Sequence, residues 1–469
     1  MFNRRLLLSL LLLVSSAFAA DNTSDARLKP AYRFDRSKWT YVHLEGSPAD
    51  IGYQHGYLLS AEIADGFNVV KFKDTRRTKR DWEFFRETAK TIIWPKVDPE
   101  YQEELNGIAE GLKAKGVAMD LWDVVALNAM EEVPDYYVPW LNRQQKSENA
   151  PKLVPPGNCS AFVATGSMTK DHKPVIAHSN WTSIATGTRW TIIFDIVPTH
   201  GYRMIQDGFP GIIVSDDDFG INSSGLMVTE TTITGFTLFD PNGKPEFSRA
   251  RKALQYASSI DEFVKIMLDE NNGGYANDWL LADNKTGEVA RFELGLKMHR
   301  VWRTKDGYFV GANFPSDPGF IKKETNFDPT NMGSSMNARH VRWEQLMDQY
   351  KGQIDIAMAQ KFLADHYDTY EKKEGPNERS LCGHVAFSPR GVPEWDDPPF
   401  NPGGAVTAQA ADSSMAKNMS FDARAGYPCG EDFLAEPFLQ EHPQFSWQKP
   451  VLRDMKGNPW AEFKAGEKP

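Results

Sequence analysis

Residues 155–165 read Pro-Pro-Gly-Asn-Cys-Ser-Ala-Phe-Val-Ala-Thr, and the character of the chain changes inside this stretch. Before it, residues 141–158 have the polar, proline-punctuated composition of an exposed linker. After it, residues 160–165 form an apolar run that is typical of a β-strand. Cys159 therefore stands where a linker enters a strand.

This position has a specific chemical use. If the bond between Asn158 and Cys159 is broken, Cys159 gains a free α-amino group with a pKa of about 7.7–8.0, which can accept the thiol proton without a separate histidine. The same thiol can break the bond by attacking the preceding carbonyl, after which water hydrolyses the resulting thioester. Gly157 would allow the strained turn that this attack needs. The sequence thus predicts self-cleavage after Asn158 and a Cys159 nucleophile.

The pattern along the chain predicts an α+β fold. Residues 48–135 have helical character, with Tyr101, Leu105, Ile108 and Leu112 at helical spacing. Residues after 158 form short β-rich runs interrupted by three helical segments. The predicted strands are 160–165, 175–178, 190–197, 225–233, 279–283, 289–294 and 308–314, and the predicted helices are 248–256, 260–269 and 338–350. From about residue 374 to 428 the Gly, Pro and Asp content predicts long loops with a few strands.

The N-terminus predicts export. Residues 1–20 contain Arg4 and Arg5, an apolar run and a small-residue cleavage site, which together are typical of a signal peptide. Removing the two arginines takes the formal charge from -10 to -12. We expect a secreted or periplasmic protein without stable membrane insertion, and such an acidic chain is a poor candidate for binding nucleic acid.

The chain has three cysteines, which is an odd number for an exported protein. Cys382 and Cys429 lie in the loop-rich C-terminal part and are expected to form a disulfide. Cys159 is then the free thiol. The Cys382-Gly-His384 segment is too sparse for zinc, which needs four ligands, and the acidic residues 216–218 lack the spacing of a calcium loop, so no metal or other cofactor is predicted.

Several motifs, taken in their order along the chain, resemble phospholipase B-like proteins. The resemblance extends, more distantly, to penicillin acyltransferase-type enzymes and bile-salt (choloylglycine) hydrolases, which are N-terminal-nucleophile (Ntn) hydrolases. The motifs are 51–56, 107–111, 157–163, 175–181, 230–232, 274–279 and 338–342.

This resemblance implies a four-layer αββα sandwich with an N-terminal helical segment. Residues 21–158 would form the helical N-terminal chain and residues 159–469 the nucleophile-bearing chain, together one domain. The N-terminal fragment would stay bound after cleavage because its apolar helical faces need burial.

The resemblance also implies roles for individual residues. Cys159 would be the nucleophile, Asn277 a donor to the oxyanion, and Thr231 or Thr232 the source of a backbone donor. The resemblance places His178 and Trp181 in a His-x-x-Trp motif and assigns Arg339 to the site, with Arg342 one turn away as a competitor. Without the family, His178 would be read as a core residue, Trp181 as packing, Asn277 as a turn residue and Arg339 as a surface residue.

The leading hypothesis is a hydrolase of N-acyl amides, with lipid esters second. An acyltransferase of the same fold differs only in the acyl acceptor. A non-catalytic binding protein and a papain-like cysteine protease are the rival classes; in the latter, the cysteine starts a helix. The sequence does not indicate the oligomeric state.

Overall fold

The protein is described by a computed structural model covering residues 25–146, 153–154, 159–215 and 219–469. The predicted signal peptide, Asn158 of the predicted cleavage site and the acidic residues 216–218 lie outside the described residues. Within the described residues, no helix combines the length and the apolar character needed to cross a membrane.

Seventeen strands are present in the described chain, numbered here in chain order. They are β1 (Tyr32–Arg36), β2 (Trp39–Gly46), β3 (Ser160–Thr165), β4 (Val175–Ser183), β5 (Ile192–Pro198), β6 (Met204–Gly208), β7 (Gly220–Asn222), β8 (Leu226–Thr232), β9 (Asn277–Asp283), β10 (Glu288–Leu294), β11 (His299–Thr304), β12 (Gly307–Gly311), β13 (Tyr367–Asp368), β14 (Lys373–Glu374), β15 (Gly403–Asp412), β16 (Ser420–Ala425) and β17 (Ala461–Lys464).

Fourteen α-helices accompany the strands within the same described ranges. They are α1 (Pro48–Leu58), α2 (Ser60–Thr78), α3 (Trp82–Thr88), α4 (Pro99–Ala114), α5 (Leu121–Asn128), α6 (Val138–Gln144), α7 (Ile184–Gly187), α8 (Glu246–Tyr256), α9 (Ile260–Leu268), α10 (Pro318–Glu324), α11 (Ser335–Gln349), α12 (Ile356–Leu363), α13 (Ser413–Lys417) and α14 (Ala435–Glu441). Two π-helical turns occur at Ala89–Ile93 and Val133–Tyr137.

Most strands belong to two large sheets. The nine-stranded sheet has the order β1-β2-β5-β6-β7-β8-β9-β10-β11, and the six-stranded sheet has the order β12-β3-β4-β15-β16-β17. Neighbouring strands are antiparallel except for β2 and β5, which pair in parallel. The strand that follows Cys159 therefore lies inside the smaller sheet, between β12 and β4.

The two sheets pack face to face across an apolar core. Ala161, Val163 and Ile176 of the six-stranded sheet share this core with Ile193 and Leu280 of the nine-stranded sheet. All five side chains are buried. Alternation along each strand sends the intervening residues to the outer faces.

Each outer face is covered by helices. Ile63 of α2 and Phe247 of α8 pack with Phe194 of the larger sheet, whereas Trp343 of α11 packs with Phe162 of the smaller one. The order of layers is therefore helix, sheet, sheet, helix. This confirms the predicted α+β class and the αββα sandwich.

Two sequence motifs upstream of Cys159 serve helix packing. Helices α1 and α4 cross so closely that a Cβ on Gly52 would lie 1.9 Å from the carbonyl oxygen of Glu104, and one on Gly111 would lie 2.3 Å from that of Tyr53. Glycine is required there because no side chain fits between the two backbones. These motifs build the outer helical layer.

One part of the sequence-based description was wrong and another was incomplete. The N-terminal segment is not purely helical, because β1 and β2 join the larger sheet. The region predicted as long loops with a few strands contains β15, whose position was not predicted and which is a ten-residue strand inside the smaller sheet. The other predicted strands and helices are present, with boundaries shifted by a few residues and β4 extended to Ser183.

Candidate active site

Cys159 lies buried directly before β3 and has a strained backbone. Its φ is 102°, in a region that side-chain-bearing residues rarely adopt. Such strain persists only where the surroundings hold the residue in place, and it is concentrated at functional sites. Because Cys159 enters a β-strand and not a helix, the arrangement differs from that of a papain-like protease.

Three reactive groups meet at this point. The sulfur of Cys159, a ring nitrogen of His178 and a carboxylate oxygen of Glu230 all lie within 4.8 Å of one another, and all three residues are buried. The sulfur is 3.8 Å from Oε1 of Glu230. A thiol, an imidazole and a carboxylate together can move a proton on and off sulfur.

The hydrogen-bond network of His178 indicates its tautomer. Strand pairing places His178 on β4 opposite Ala161 of β3. Its Nδ1 is 3.2 Å from Oε1 of Gln409, whose Nε2 donates to Thr407 and to Asp207. Since the amide oxygen faces the ring, the network assigns the proton to Nδ1 and leaves Nε2 as the acceptor of the imidazole.

Glu230 and Asn277 are brought together by the register of β8 and β9. Thr232 of β8 lies opposite Asn277 of β9, and Glu230 lies two residues along. With the amide of Asn277 oriented to satisfy its neighbours, its nitrogen donates to Oε2 of Glu230 at 2.8 Å and to the carbonyl of Ala276 at 3.1 Å. The predicted oxyanion donor thus lies within the cluster and is engaged by Glu230 in this structure.

The hydroxyl groups of Tyr275 and Thr232 complete this side of the site. Tyr275 donates to Oε1 of Glu230 at 3.2 Å, and the Thr232 hydroxyl donates to the Tyr275 oxygen at 3.0 Å. The hydroxyl of Thr231 is buried, and we find no hydrogen-bond partner for it in the described part of the chain. A backbone oxyanion donor at Thr231 or Thr232 stays a prediction.

Arg339 holds the start of β3. Helix α11 carries Arg339, which is fully buried, and its Nη1 donates to the carbonyl oxygen of Cys159 at 2.6 Å and to Oγ of Ser160 at 3.0 Å. Nη2 donates to Oδ1 of Asn313 at 2.9 Å, and Nε donates to Oγ of Ser335 at 3.0 Å. These bonds fix the backbone on the C-terminal side of the nucleophile.

The charge of Arg339 is stabilised by an aromatic face. Its guanidinium carbon lies 4.2 Å from the ring centroid of Trp181. Burial lowers the pKa of Arg339 to about 9, whereas Cys159 and Glu394 act in the opposite direction. The competing Arg342 instead forms an ion pair with Asp365, with 2.6 Å between Nη2 and Oδ2. The geometry therefore distinguishes the two arginines.

A cavity of about 460 Å³ lies beside Trp181. Trp395 and Trp447 supply further aromatic surface, and Leu153 and Val154 of the linker reach its wall. The remaining lining is rich in charge of both signs. The charged residues are Lys73, Asp74, Arg76, Arg77, Lys79, Glu131, Asp135, Asp396 and Asp397.

Carboxyl groups in this cavity are held in an unusual environment. Burial raises the pKa of Asp74 to about 7, that of Glu131 to about 8 and that of Asp397 to about 6. Burial raises these values because it disfavours the charged form of a carboxyl group. Burial thus moves the pKa values of these three carboxyl groups toward neutral pH.

The structure brings together five of the predicted residues and separates the cysteine pair from them. Cys159, His178, Asn277, Arg339 and Trp181 form one site. The predicted disulfide is not formed, because Cys382 and Cys429 are both free thiols, although they lie near each other.

Four residues of the site received no role from the sequence. They are Glu230, Tyr275, Asn313 and Gln409. For Glu230 the sequence offered a signal, because it is a glutamate inside the otherwise apolar and hydroxyl-bearing β8. Asn313 and Gln409 lie far along the chain from the residues they contact, and the sequence offered no signal for them.

The sequence of this chain is similar to a known protein family and to several known proteins. Residues 78–301 match the family model described as Phospholipase B. The chain is 24% identical to putative phospholipase B-like 3 of Caenorhabditis elegans over 385 residues, covering 71% of this chain and 64% of the relative. It is 25% identical to phospholipase B-like 1 of Rattus norvegicus over 266 residues, covering 50% of this chain and 47% of the relative.

A solved structure shows a weaker likeness. A mutant of conjugated bile acid hydrolase from Clostridium perfringens aligns with 57% of this chain and 89% of its own, at 12% identity and a TM-score of 0.33. The predicted resemblance to phospholipase B-like proteins is confirmed by the family and relative matches. The matched regions span less than two thirds of either named relative.

Proposed function

We propose that this chain, which is related to the Phospholipase B family over residues 78–301, is an acyl hydrolase that cleaves itself between Asn158 and Cys159. The single observation that supports this most strongly is the convergence of His178, Glu230 and Arg339 on Cys159 at the start of β3. A buried thiol with a proton acceptor beside it and a cation on its own carbonyl is arranged for attack on an acyl carbon.

The self-cleavage step needs a base other than the α-amine, because that nitrogen is still part of the peptide bond. In the proposed step, Nε2 of His178 takes the thiol proton and the sulfur of Cys159 attacks the carbonyl carbon of Asn158. The carbon–nitrogen bond breaks, the nitrogen of Cys159 leaves with the proton, and a thioester remains. Water then hydrolyses the thioester, which frees the carboxylate of Asn158 and the thiol of Cys159.

The second step is the turnover of substrate. The new α-amine of Cys159, with a pKa of about 7.7–8.0, receives the thiol proton and later gives it to the leaving group. The sulfur forms a thioester with the acyl group, and water releases the acid. In this proposal, the Asn277 amide exchanges Glu230 for the oxyanion that develops during attack, a contact typically worth about 10²–10³ in rate.

The substrate proposed first is an N-acyl amide, and a lipid ester is second. The aromatic surface of Trp181, Trp395 and Trp447 suits the apolar part of such a substrate, and the charged wall of the cavity suits a polar end group. Leu153 and Val154 occupy part of this wall in the uncut chain, so cleavage of the linker is proposed to open the cavity. No cofactor is required by this chemistry.

The fragment before Cys159 is proposed to remain bound. Helices α1, α2 and α4 share an apolar core with the larger sheet, and β2 pairs with β5 over seven residues. Separation would expose this core to water, at a free-energy cost of about 25 cal/mol for each Å² of apolar surface. We also propose that the N-terminal signal directs export of the protein. The alternative function, an acyltransferase, differs from the hydrolase only in that an amine and not water accepts the acyl group.

The test is a substrate panel on wild type, Cys159→Ala and Arg342→Lys. We expect wild type and Arg342→Lys to release acid from an N-dodecanoyl amino acid faster than from phosphatidylcholine, and Cys159→Ala to release none. Release by Cys159→Ala at the wild-type rate would contradict the proposal. A cleaved wild-type chain that hydrolyses neither substrate would favour the alternative of a binding protein.

A further inference from the structure

A second cluster of reactive side chains lies outside the proposed active site. His366, Cys382, His384 and Cys429 each offer one nitrogen or sulfur atom, and these four atoms lie within 4.8 Å of one another. His384 and Cys382 are fully buried, and the other two residues are partly buried. Two imidazoles and two thiols converge here from three separate parts of the chain.

The distances within this cluster match those between zinc ligands. Nε2 of His384 lies 3.2 Å from Nε2 of His366, 3.3 Å from the sulfur of Cys382 and 3.4 Å from the sulfur of Cys429. Tetrahedral zinc with bonds of about 2.0–2.1 Å to nitrogen and about 2.3 Å to sulfur places neighbouring ligands about 3.3–3.8 Å apart. The four side chains therefore need only small adjustments to surround one ion.

The backbone around the cluster brings these side chains to one point. Gly383 has a φ of 65°, which allows the chain to turn between Cys382 and His384 so that both side chains reach the same centre. The ring of Tyr427 stacks on His384 with 4.0 Å between centroids. This aromatic cover limits access of water to one side of the cluster.

A carboxylate lies behind one of the imidazoles. Oε2 of Glu431 is 4.0 Å from Nδ1 of His384, the ring nitrogen that does not face the cluster. Imidazoles that bind a metal commonly direct their second nitrogen toward a carboxylate, a carbonyl or water. The neighbourhood of His384 is thus compatible with a metal-bound ring.

We propose that His366, Cys382, His384 and Cys429 form a four-coordinate structural zinc site. All four positions around the ion would be filled by protein, so the site is closed and has no place for substrate. It would join the segment after α12 and the loop around Gly383 to the segment after β16. The disulfide that the odd cysteine count suggested is the competing state of the same two sulfurs.

The site would also support the proposed active site from behind. A Cβ on Gly383 would lie 2.3 Å from the ring of Trp181, so the loop that carries two of the ligands rests directly on this tryptophan. Trp181 in turn stacks on Arg339. Loss of the ion would therefore loosen the packing beneath that pair.

The first test is the metal content of full-length wild type purified without chelator, measured by inductively coupled plasma mass spectrometry. We expect one zinc per chain. After zinc is removed and Co²⁺ is added, we expect visible d–d bands of a tetrahedral centre together with thiolate-to-cobalt charge transfer. A chain that binds neither ion, and whose Cys382 and Cys429 react with a thiol reagent only after reduction, would overturn the proposal in favour of the disulfide.

Variants locate the ion without depending on the wild-type measurement alone. Cys429→Ser and His366→Ala should lose most of the zinc, whereas His172→Ala, at an exposed histidine, should keep it. Cys159→Ala should also keep it, so that failure of the proposed hydrolase and failure of the zinc site are distinguishable. Zinc retained at one equivalent in both ligand variants would contradict the assignment. If a ligand variant does not fold, the cobalt spectrum of wild type still decides the question.

Discussion

The molecule has two thiol centres, and their surroundings differ in kind. Cys159 meets unlike groups, an imidazole, a carboxylate and an arginine, where a strand begins. Cys382 and Cys429 meet each other and two imidazoles under an aromatic ring. A thiol beside an imidazole can transfer a proton in either set, but the second set differs in bringing two sulfurs and two ring nitrogens within reach of a single ion. The neighbours of each sulfur, and not its burial, thus distinguish their chemistry.

Removing the proposed base should have the largest effect among the variants that compare the two thiol centres. His178→Ala should slow self-cleavage by about 10²–10⁴, because general bases typically contribute that much. The appearance of the two fragments on a denaturing gel over time gives the rate. His366→Ala is the matched control from the other thiol centre and should still cleave. Equal slowing in both variants would mean that the two centres do not differ in role.

Replacing the cation at Cys159 should have the next largest effect. Arg339→Met removes four hydrogen bonds and leaves the Cys159 carbonyl oxygen without this donor. We expect the free energy of unfolding to fall by about 3 kcal/mol, the scale of a lost hydrogen bond to a buried charged group. Urea denaturation measures this, with Arg342→Met as the control.

A further variant of Arg339 reports on the chemistry of self-cleavage. Arg339→Lys keeps a positive charge but cannot reproduce the planar hydrogen-bonding fork of the guanidinium, so self-cleavage should be slower than in wild type. An Arg339→Lys chain that matures as fast as wild type would show that the arginine is needed only for packing.

Chelation should separate stability from chemistry. Removing the proposed zinc from purified wild type should lower the melting temperature by at least about 5 °C, because a ligand that binds only the folded state stabilises it. The Cys429→Ser chain should show no further decrease when the chelator is added. A decrease of equal size in Cys429→Ser would mean that the chelator acts elsewhere.

The smallest expected effect is a pH dependence of the cavity. Burial raises the pKa of Asp74 to about 7, above the value of about 3.9 for an unfolded aspartate. The folded chain then holds a proton that the unfolded chain has released, so this stabilising contribution is complete below about pH 4 and lost as pH rises through about 7. The free energy of unfolding of Asp74→Asn should therefore decrease less between pH 5 and 8 than that of wild type. Parallel curves would show that Asp74 does not titrate in this range.

Much of the fold was predictable because its elements carry strong local patterns. The run at 160–165 is mostly apolar, the run at 289–294 alternates apolar residues with Arg291 and Glu293, and the helix at 338–350 has a clear periodicity. β15 was not located within the region of loops and a few strands because it is built largely from Gly and Ala, which have low strand propensity. It is a strand because it pairs with β4 on one side and β16 on the other, which local sequence does not reveal.

The site divides in the same way. Cys159, His178 and Asn277 lie in motifs that can be recognised in order along the chain. Gln409 contacts His178 across a separation of 231 positions, and Asn313 contacts Arg339 across a separation of 26. Strand pairing and the packing of α11 bring these residues together. The cluster around His384 was missed for the same reason, because its ligands are spread from residue 366 to residue 429.

The most direct test of the account is the intact mass and N-terminal sequence of purified wild type beside Cys159→Ala. The account predicts two tightly associated fragments in wild type, the second beginning with Cys-Ser-Ala-Phe, and one uncut chain in the variant. A wild-type chain that remains uncut across neutral and acidic pH, or a Cys159→Ala chain that is cut at the same bond, would contradict the claim that Cys159 is a self-generated N-terminal nucleophile.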